Sequence, residues 1–266
     1  MVQLVCIMVK PEVGLSMLYC LGEPFGKMAE QIPKAKTTYI ELVDDGLHAL
    51  DNKKKVTVLN NIRQCYDKKY TVHAPFVGIN VALPSSPLLN ATLRRLKKSI
   101  VNASALDCER WVFHPGLKTA TSMFYPGMDW ARNLDSVRLL FRFARDHGVD
   151  ACVENIMEAF VLKNVEEFRR FYDEIGEDIG LALDTGHANV VGELEGFLTE
   201  FSDKIVHVHA QDNRGKSDEH LGIGYGNIDW DMVAKHLKRA SFGKVVIVES
   251  VEHIDESIDS LERLLL

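Results

Sequence analysis

Short apolar runs rich in β-branched residues alternate with longer amphipathic stretches along the whole chain, and this alternation constrains the fold more than any other feature. Several runs are continuously apolar, which is typical of strands covered on both faces in a parallel sheet. The runs predict eight strands, at residues 2–9, 38–43, 70–74, 111–114, 151–155, 180–184, 205–209 and 245–249. Helical periodicity predicts helices that include residues 88–105, 134–147, 165–175 and 254–266.

Eight strand–helix units in 266 residues average about 33 residues each. This regular alternation predicts a fold of the α/β class, a single (β/α)8 TIM barrel. A doubly wound open sheet is the alternative, because periodicity alone does not show that a sheet closes. Since no linker, charge block or low-complexity segment divides the sequence, we expect one domain over residues 1–266.

Composition excludes several classes of protein. Hydrophobic residues make up 46% and charged residues 26% of the chain, which excludes wholesale disorder. The net charge of −7 excludes a broadly basic nucleic-acid surface, although it leaves a local basic patch open. Five widely spaced cysteines without a C-x-x-C pair predict reduced thiols and a cytoplasmic location. The apolar run at 2–9 is far shorter than the roughly 20 residues that span a bilayer, so we expect no membrane segment.

Side chains able to bind metals follow the carboxyl ends of six successive predicted strands. Because all these ends face one mouth in a barrel, the side chains should converge. Clustered carboxylates and imidazoles repel or stay poorly satisfied without a cation. Their nitrogen and oxygen atoms suit Zn²⁺ or Mn²⁺ better than thiolate-seeking metals. The predicted ligands are His73, His114, Glu154, Asp184, His209 and Glu249 at strand ends, with His187, Asp218 and His220 in the following loops.

Other features of the sequence have simpler interpretations. A single histidine such as His114 is more often a hydrogen-bonded structural residue, but six successive strand ends are hard to assign to packing. His207 precedes His209 by two residues, so it lies on the same face one layer deeper and is expected to have a supporting role. The glycines of Gly222-x-Gly224-x-Gly226 lack the strand–turn–helix setting of a dinucleotide site and predict a mobile or tightly turned loop.

At this point the sequence resembles the xylose isomerase-like TIM barrel superfamily, and more narrowly its endonuclease IV branch (AP endonuclease family 2) with the related sugar phosphate isomerases and epimerases. Seven stretches between residues 73 and 249 carry the resemblance. They are His73-Ala-Pro-Phe76, Phe113-His-Pro-Gly116, Val153-Glu-Asn155, Leu183-Asp-Thr-Gly-His187, His209-Ala-Gln-Asp212, Asp218-Glu-His220 with the following Gly224-x-Gly226, and Val248-Glu249.

The resemblance implies a centre of up to three zinc ions. It implies that one ion is held by His73, His114, Glu154 and Glu249, a second by Asp184, His209, Glu154 and Glu249, and a third by His187, Asp218 and His220. Glu154, Glu249 and His187 are the implied catalytic residues, and the implied reaction is phosphoester hydrolysis by hydroxide bound to metal. Phe76 stands where an aromatic that penetrates DNA is expected, and with His207 it is a candidate for substrate contact.

Two stretches depart from the endonuclease IV pattern. Members of that branch carry Gly-x-His at the end of the first strand and an arginine-bearing loop after the second. Here the predicted first strand runs into Val9-Lys10-Pro11, and the second reads Tyr39-Ile40-Glu41-Leu42, which is more similar to the isomerase and epimerase branch.

Two enzyme functions and one binding function remain in competition. The full set of nine ligands favours a phosphoester hydrolase acting on abasic DNA or a small phosphorylated substrate. The alternative is a sugar or sugar-phosphate isomerase or epimerase, in which one Mn²⁺, Co²⁺ or Mg²⁺ is bound and Glu154 and Glu249 transfer the proton. A catalytically silent barrel that only binds metal or sugar is least favoured, because an open multi-carboxylate mouth is not needed for a structural metal.

Overall fold

The computed structural model describes residues 10–266, and within them eight parallel strands close into a barrel in sequence order. Each strand is followed by at least one helix. The predicted TIM barrel is therefore confirmed, and the open doubly wound sheet is excluded by the pairing of the last strand with the first. The strands are β1 Glu12–Ser16, β2 Tyr39–Val43, β3 Lys69–His73, β4 Arg110–Phe113, β5 Asp150–Glu154, β6 Gly180–Asp184, β7 Ile205–Ala210 and β8 Val245–Val248.

Nine α-helices in the same span surround the barrel. They are α1 Phe25–Gln31, α2 Lys53–Tyr66, α3 Ser86–Ala105, α4 Met128–Asp146, α5 Val165–Ile175, α6 Thr185–Val190, α7 Leu194–Glu200, α8 Trp230–Arg239 and α9 Ile254–Leu264. Local sequence sets their ends. In α5, for example, the Asn164 side chain accepts the first-turn amide of Glu167, and Gly176 ends the helix at a φ of 65°.

The first barrel strand lies away from its predicted position. The prediction at 2–9 falls outside the described residues, and β1 is Glu12–Ser16. At Gly14 an added Cβ would lie 2.4 Å from Ile247 Cδ1 and 2.8 Å from Tyr39 Cβ. This close approach requires glycine inside the strand, so the apolar run that signals a strand is interrupted. The carboxyl end of the first strand is therefore Ser16, and the comparison made at Val9-Lys10-Pro11 was wrong.

Most of the core lies between the strands and the helices. Trp111 and Phe113 of β4 are fully buried, with ring centroids 4.9 Å apart. The Trp111 indole donates to Ser99 of α3 over 3.0 Å and so satisfies its own polar atom. The barrel interior is different, because it also contains charged side chains with no exposed surface, among them Glu41. Buried charges of this kind need partners, and they lead directly to the carboxyl ends of the strands.

None of the helices in residues 10–266 is both long enough and apolar enough to cross a bilayer.

Candidate metal centre

The carboxyl ends of β3 to β8 bring all nine predicted ligands to one mouth of the barrel. His73, Glu154 and Asp184 are the last residues of β3, β5 and β6, and His209 is the last but one of β7. His114 and Glu249 immediately follow β4 and β8. His187 lies in the first turn of α6, and Asp218 and His220 lie in the loop between β7 and α8.

Glu154 stands at the centre of the cluster and is 1% exposed. Its Oε2 lies 3.4 Å from His73 Nε2 and 3.2 Å from His114 Nε2. Its Oε1 lies 3.3 Å from His187 Nδ1 and 3.4 Å from His209 Nδ1. One carboxylate therefore faces two groups of histidines, one at each of its oxygens.

Two further groups flank Glu154. Asp184, His209 and Glu249 each offer a ligand atom within 4.8 Å of the others, and His209 Nδ1 lies 3.5 Å from Glu249 Oε2. On the other side, Asp218 Oδ2 lies 3.4 Å from His187 Nε2 and 3.0 Å from His220 Nε2. The nine side chains thus form three adjacent groups, each with nitrogen and oxygen ligands.

Three of the histidines are oriented by a hydrogen bond from the ring, and a fourth, His209, lies in an ion-pair contact with Glu41. His73, His187 and His220 each donate from Nδ1 to a backbone carbonyl, of Ala74 at 2.8 Å, Asn155 at 3.0 Å and Glu249 at 3.0 Å. Their Nε2 atoms point into the cluster. His209 is reversed, because its Nε2 faces Glu41 Oε1 at 3.0 Å and its Nδ1 faces the cluster. Such anchoring of the second nitrogen is typical of histidines that bind metal.

The ligands strongly shift one another's pKa values when no cation is bound. Burial raises the pKa of Glu154, but the imidazoles of His114 and His209 outweigh it and hold that pKa well below its usual range. Burial lowers the pKa of His187 and His209, yet the carboxylates around them raise both well above the usual value. Burial, together with Glu41 and Glu154, raises the pKa of Glu249 to about 7 against the opposing effect of His209. The carboxylates therefore draw protons onto the ligands, and divalent ions would replace those protons.

The donor set fits such ions. Glu154 Oε2, Asp184 Oδ2 and His209 Nδ1 are buried without a hydrogen-bond partner. An unsatisfied buried polar atom costs free energy, about 1–3 kcal/mol for a neutral group and more for a charged one. All three atoms belong to the central groups and lie where metal ligation would satisfy them. The residues present therefore suit divalent cations with nitrogen and oxygen ligands.

A cavity of 320 Å³ opens onto the cluster. One side of it is formed by ligands, and the other by Leu18, Leu21, Val43, Phe76 and Val251. The Phe76 ring centroid lies 5.3 Å from that of His73 and 5.6 Å from that of His114. A larger cavity of 710 Å³ opens at the amino ends of the strands, and it contains none of the nine ligands. The ligand cluster therefore opens onto the smaller cavity and not onto the larger one.

A residue that was not predicted from the sequence contacts His209 from the barrel interior. Glu41 of β2 has no exposed surface, and its two oxygens lie 3.0 Å from His209 Nε2 and 3.0 Å from His207 Nε2. Thr71 donates to the same carboxylate over 3.1 Å. His207 is fully buried in this layer and does not line the cavity. A charged residue in the apolar run of β2 was the available signal for this network.

The glycine-containing loop after β7 is tightly turned around Asp212. This buried carboxylate accepts the amides of Gly224 at 3.0 Å and Ile228 at 3.2 Å, and the Trp230 indole at 2.9 Å. An added Cβ at Gly226 would lie 2.2 Å from Asp212 Oδ1, so glycine is required there by space. The loop carries Asp218 and His220, and Asp212 thereby fixes the backbone that presents the third group of ligands.

Comparison with known proteins agrees with the fold. A crystal structure of a D-tagatose 3-epimerase-like protein is 28% identical, with a TM-score of 0.89 over 96% of this chain and 97% of that one. An uncharacterised protein of Methanocaldococcus jannaschii is 30% identical over 94% of this chain and 87% of its own length. A Halothermothrix orenii protein named "Probable endonuclease 4" is 27% identical over 64% of this chain and 66% of its own.

A family match covers seven of the eight barrel strands. The family model described as a xylose isomerase-like TIM barrel matches residues 30–264. This range runs from α1, before β2, to the last residue of α9, and it contains all nine ligands. The resemblance seen in the sequence is confirmed, and the chain belongs to the xylose isomerase-like TIM barrel family.

Proposed function

We propose that this chain is a metal-dependent phosphoester hydrolase that binds up to three divalent ions, with Zn²⁺ as the favoured metal. The observation that carries the proposal is the third group of ligands. Sugar isomerisation needs one or two metal ions, whereas here Asp218 Oδ2 lies 3.4 Å from His187 Nε2 and 3.0 Å from His220 Nε2, beside the groups that share Glu154. The relative named as an endonuclease 4 supports the same class of reaction.

The ions are assigned to the three groups of side chains. Following the resemblance, one ion would be held by His73, His114, Glu154 and Glu249, a second by Asp184, His209, Glu154 and Glu249, and a third by His187, Asp218 and His220. In support, the structure groups His73 with His114 and Glu154, Asp184 with His209 and Glu249, and Asp218 with His187 and His220. When bound, the ions supply Lewis-acid stabilisation of phosphoryl charge and lower the pKa of a coordinated water. The chain's own part is to orient the imidazoles through Ala74, Asn155 and Glu41 and to exclude bulk water on the side of Phe76.

The cavity favours a small substrate over abasic DNA. Its volume is 320 Å³, at the lower end of the usual range for small-molecule sites. Among residues 10–266, no lysine or arginine lines it. Proteins that bind the DNA backbone neutralise phosphates with such side chains, so a small phosphoester fits this mouth better.

The second candidate is a sugar or sugar-phosphate epimerase, and a specific arrangement favours it. Glu154 and Glu249 approach the same atom, His209 Nδ1, at 3.4 and 3.5 Å, so two carboxylates flank one position for a metal ion. With Asp184 and His209 they would hold a single Mn²⁺, Co²⁺ or Mg²⁺, and the two glutamates would move a proton between adjacent carbons. The structural similarity to the D-tagatose 3-epimerase-like protein supports this candidate.

The experiment that separates the candidates removes the third group of ligands alone. The protein is purified without chelator, its metals are counted by elemental mass spectrometry, and it is assayed on small phosphoesters, an abasic oligonucleotide and a sugar panel. We expect close to three zinc ions per chain and phosphoester hydrolysis that falls at least 100-fold in His220→Ala. The control is His236→Ala on the outer helix α8, which should keep full activity.

Two results would contradict the hydrolase. A metal-replete protein that cleaves no phosphoester overturns it outright. Solvent-proton exchange at a sugar carbon that survives His220→Ala but is lost in Glu154→Gln would establish the epimerase instead.

A further inference from the structure

The cavity at the mouth has two chemically different halves. Ligands come only from β3 to β8 and the loops that follow them. The side chains that β8, β1, β2 and β3 contribute around the remaining side are apolar, and we call them the apolar wall: Leu18, Leu21, Val43, Phe76 and Val251. Because β8, β1, β2 and β3 are consecutive neighbours in the closed barrel, these side chains form one continuous side of the cavity.

The apolar wall is held in place by the backbone around it. Val43 is the last residue of β2 and is buried. Asp45 Oδ2 accepts the amides of both Phe76 and Val77 at 2.8 Å, which ties the loop after β2 to the loop after β3. A wall fixed in this way binds a ligand with little cost of ordering.

Apolar surface continues from the cavity to solvent. Val251 lines the cavity and is 45% exposed, and Val77, next to Phe76, is 68% exposed. A ligand lying on the apolar wall therefore meets further apolar surface as it leaves the cavity.

This arrangement discriminates between substrates. The apolar wall offers no side-chain hydrogen-bond partner, so each hydroxyl of a sugar placed against it loses water without compensation, at a cost of roughly tenfold in affinity. An alkyl or aryl group gains about fourfold for each methylene that it buries. Both the loss for hydroxyls and the gain for apolar groups favour an alkyl or aryl ligand over a sugar.

We infer that the substrate is a phosphoester whose alcohol part is an alkyl or aryl group, which packs on the apolar wall while the phosphoryl group faces the ligands. The inference rests on the proposed hydrolase function. In the reaction the oxygen of water forms a bond to phosphorus, the bond from phosphorus to the alcohol oxygen breaks, and a proton from the water ends on that alcohol oxygen.

The test compares matched monoesters on the metal-loaded protein. We expect kcat/KM for hexyl phosphate and phenyl phosphate to exceed that for glycerol phosphate at least 30-fold. Calorimetric binding of hexylphosphonate, which cannot be hydrolysed, should be tighter than that of 2,3-dihydroxypropylphosphonate by a similar factor. Val251→Asn should lower the hexyl-to-glycerol ratio about tenfold. Val101→Asn is the matched control, because Val101 lies on α3 outside the cavity and is 43% exposed.

The outcomes separate this inference from the function on which it rests. Hydrolysis of hexyl and glycerol phosphates with equal kcat/KM overturns the apolar substrate and leaves the hydrolase standing. An unchanged ratio in Val251→Asn also overturns it. Absence of hydrolysis on every phosphoester, with no phosphonate bound, overturns the hydrolase and the inference together.

Discussion

Glu41 shows how a residue outside the ligand set can control it. Its carboxylate faces His209 Nε2 at 3.0 Å and leaves Nδ1 directed at Glu154 and Glu249. Because an ionised acceptor fixes both the tautomer and the ring angle of a metal-binding histidine, the carboxylate should raise metal affinity. The Glu41 side chain has no exposed surface, so its charge is stabilised by its buried neighbours His207, His209 and Thr71.

We therefore predict that Glu41→Gln weakens zinc binding without unfolding the barrel. The amide keeps the shape of the side chain but loses the charge, and removal of such partners typically costs 10–100-fold in metal affinity. A competition titration with a chromophoric chelator measures the change in each of the bound ions. Thr71→Val is the control, since Thr71 donates to Glu41 and is not bonded to His209. Equal zinc affinities in both variants and the parent would show that Glu41 has no such role.

The position of some site residues can be predicted from the sequence, and that of others cannot. Six of the nine ligands lie at the end of an apolar run, so their place at the mouth depended only on recognising the strand, and the other three lie in the segments that follow β6 and β7. Glu41 lies inside a strand, and its contact with His209 depends on the curvature that brings β2 across the barrel from β7. That relation is set by closure of all eight strands and is not encoded near either residue.

At the scale of single elements, the conformation of the loop from β7 to α8 depends on particular residues within the loop. Asp212 holds it through four donors, the amides of Asn213, Gly224 and Ile228 and the Trp230 indole. The glycines predicted a turn from the sequence, but the role of the Asp212 carboxylate, around which the turn forms, was not predicted. The first strand was predicted at the wrong position for a similar reason. Gly14 is required because β1 packs closely against Ile247, and a glycine inside a strand interrupts the apolar pattern from which strands are predicted.

We predict that Gly226→Ala releases the third group of ligands while the other two stay bound. The added methyl would lie 2.2 Å from Asp212 Oδ1 and 2.3 Å from the carbonyl oxygen of Asn213, so the loop must shift. Such overpacking costs about 1–3 kcal/mol of unfolding free energy. Elemental analysis should then find one zinc ion fewer per chain. Gly26→Ala, in α1 with no atom within 4 Å of the new methyl, should retain the full metal content.

At the scale of the whole molecule, the carboxyl end of the barrel brings together side chains whose pKa values are strongly shifted. Asp218, after opposing burial, raises the pKa of His220 to about 9, and Glu249 has a pKa of about 7. Both groups hold protons in the folded, metal-free protein that they release in the unfolded chain, where their pKa values are about 6.5 and 4.5. Folding of the metal-free protein is thus coupled to proton uptake by the same side chains that would bind metal.

The sign of the pH dependence follows from these two shifts. For His220 the stabilisation is complete below pH 6.5 and is lost as the pH rises through about 9. For Glu249 stability falls as the pH rises from 4.5 through about 7. We therefore predict that these two groups lower the stability of the metal-free protein between pH 5 and 9, each by on the order of 3 kcal/mol. Zinc replaces the protons, so the difference in Tm between zinc-loaded and chelated protein should widen over the same range. Calorimetry at several pH values measures both. A constant difference in Tm, or one that narrows toward pH 9, would mean that protons and zinc do not compete for this cluster.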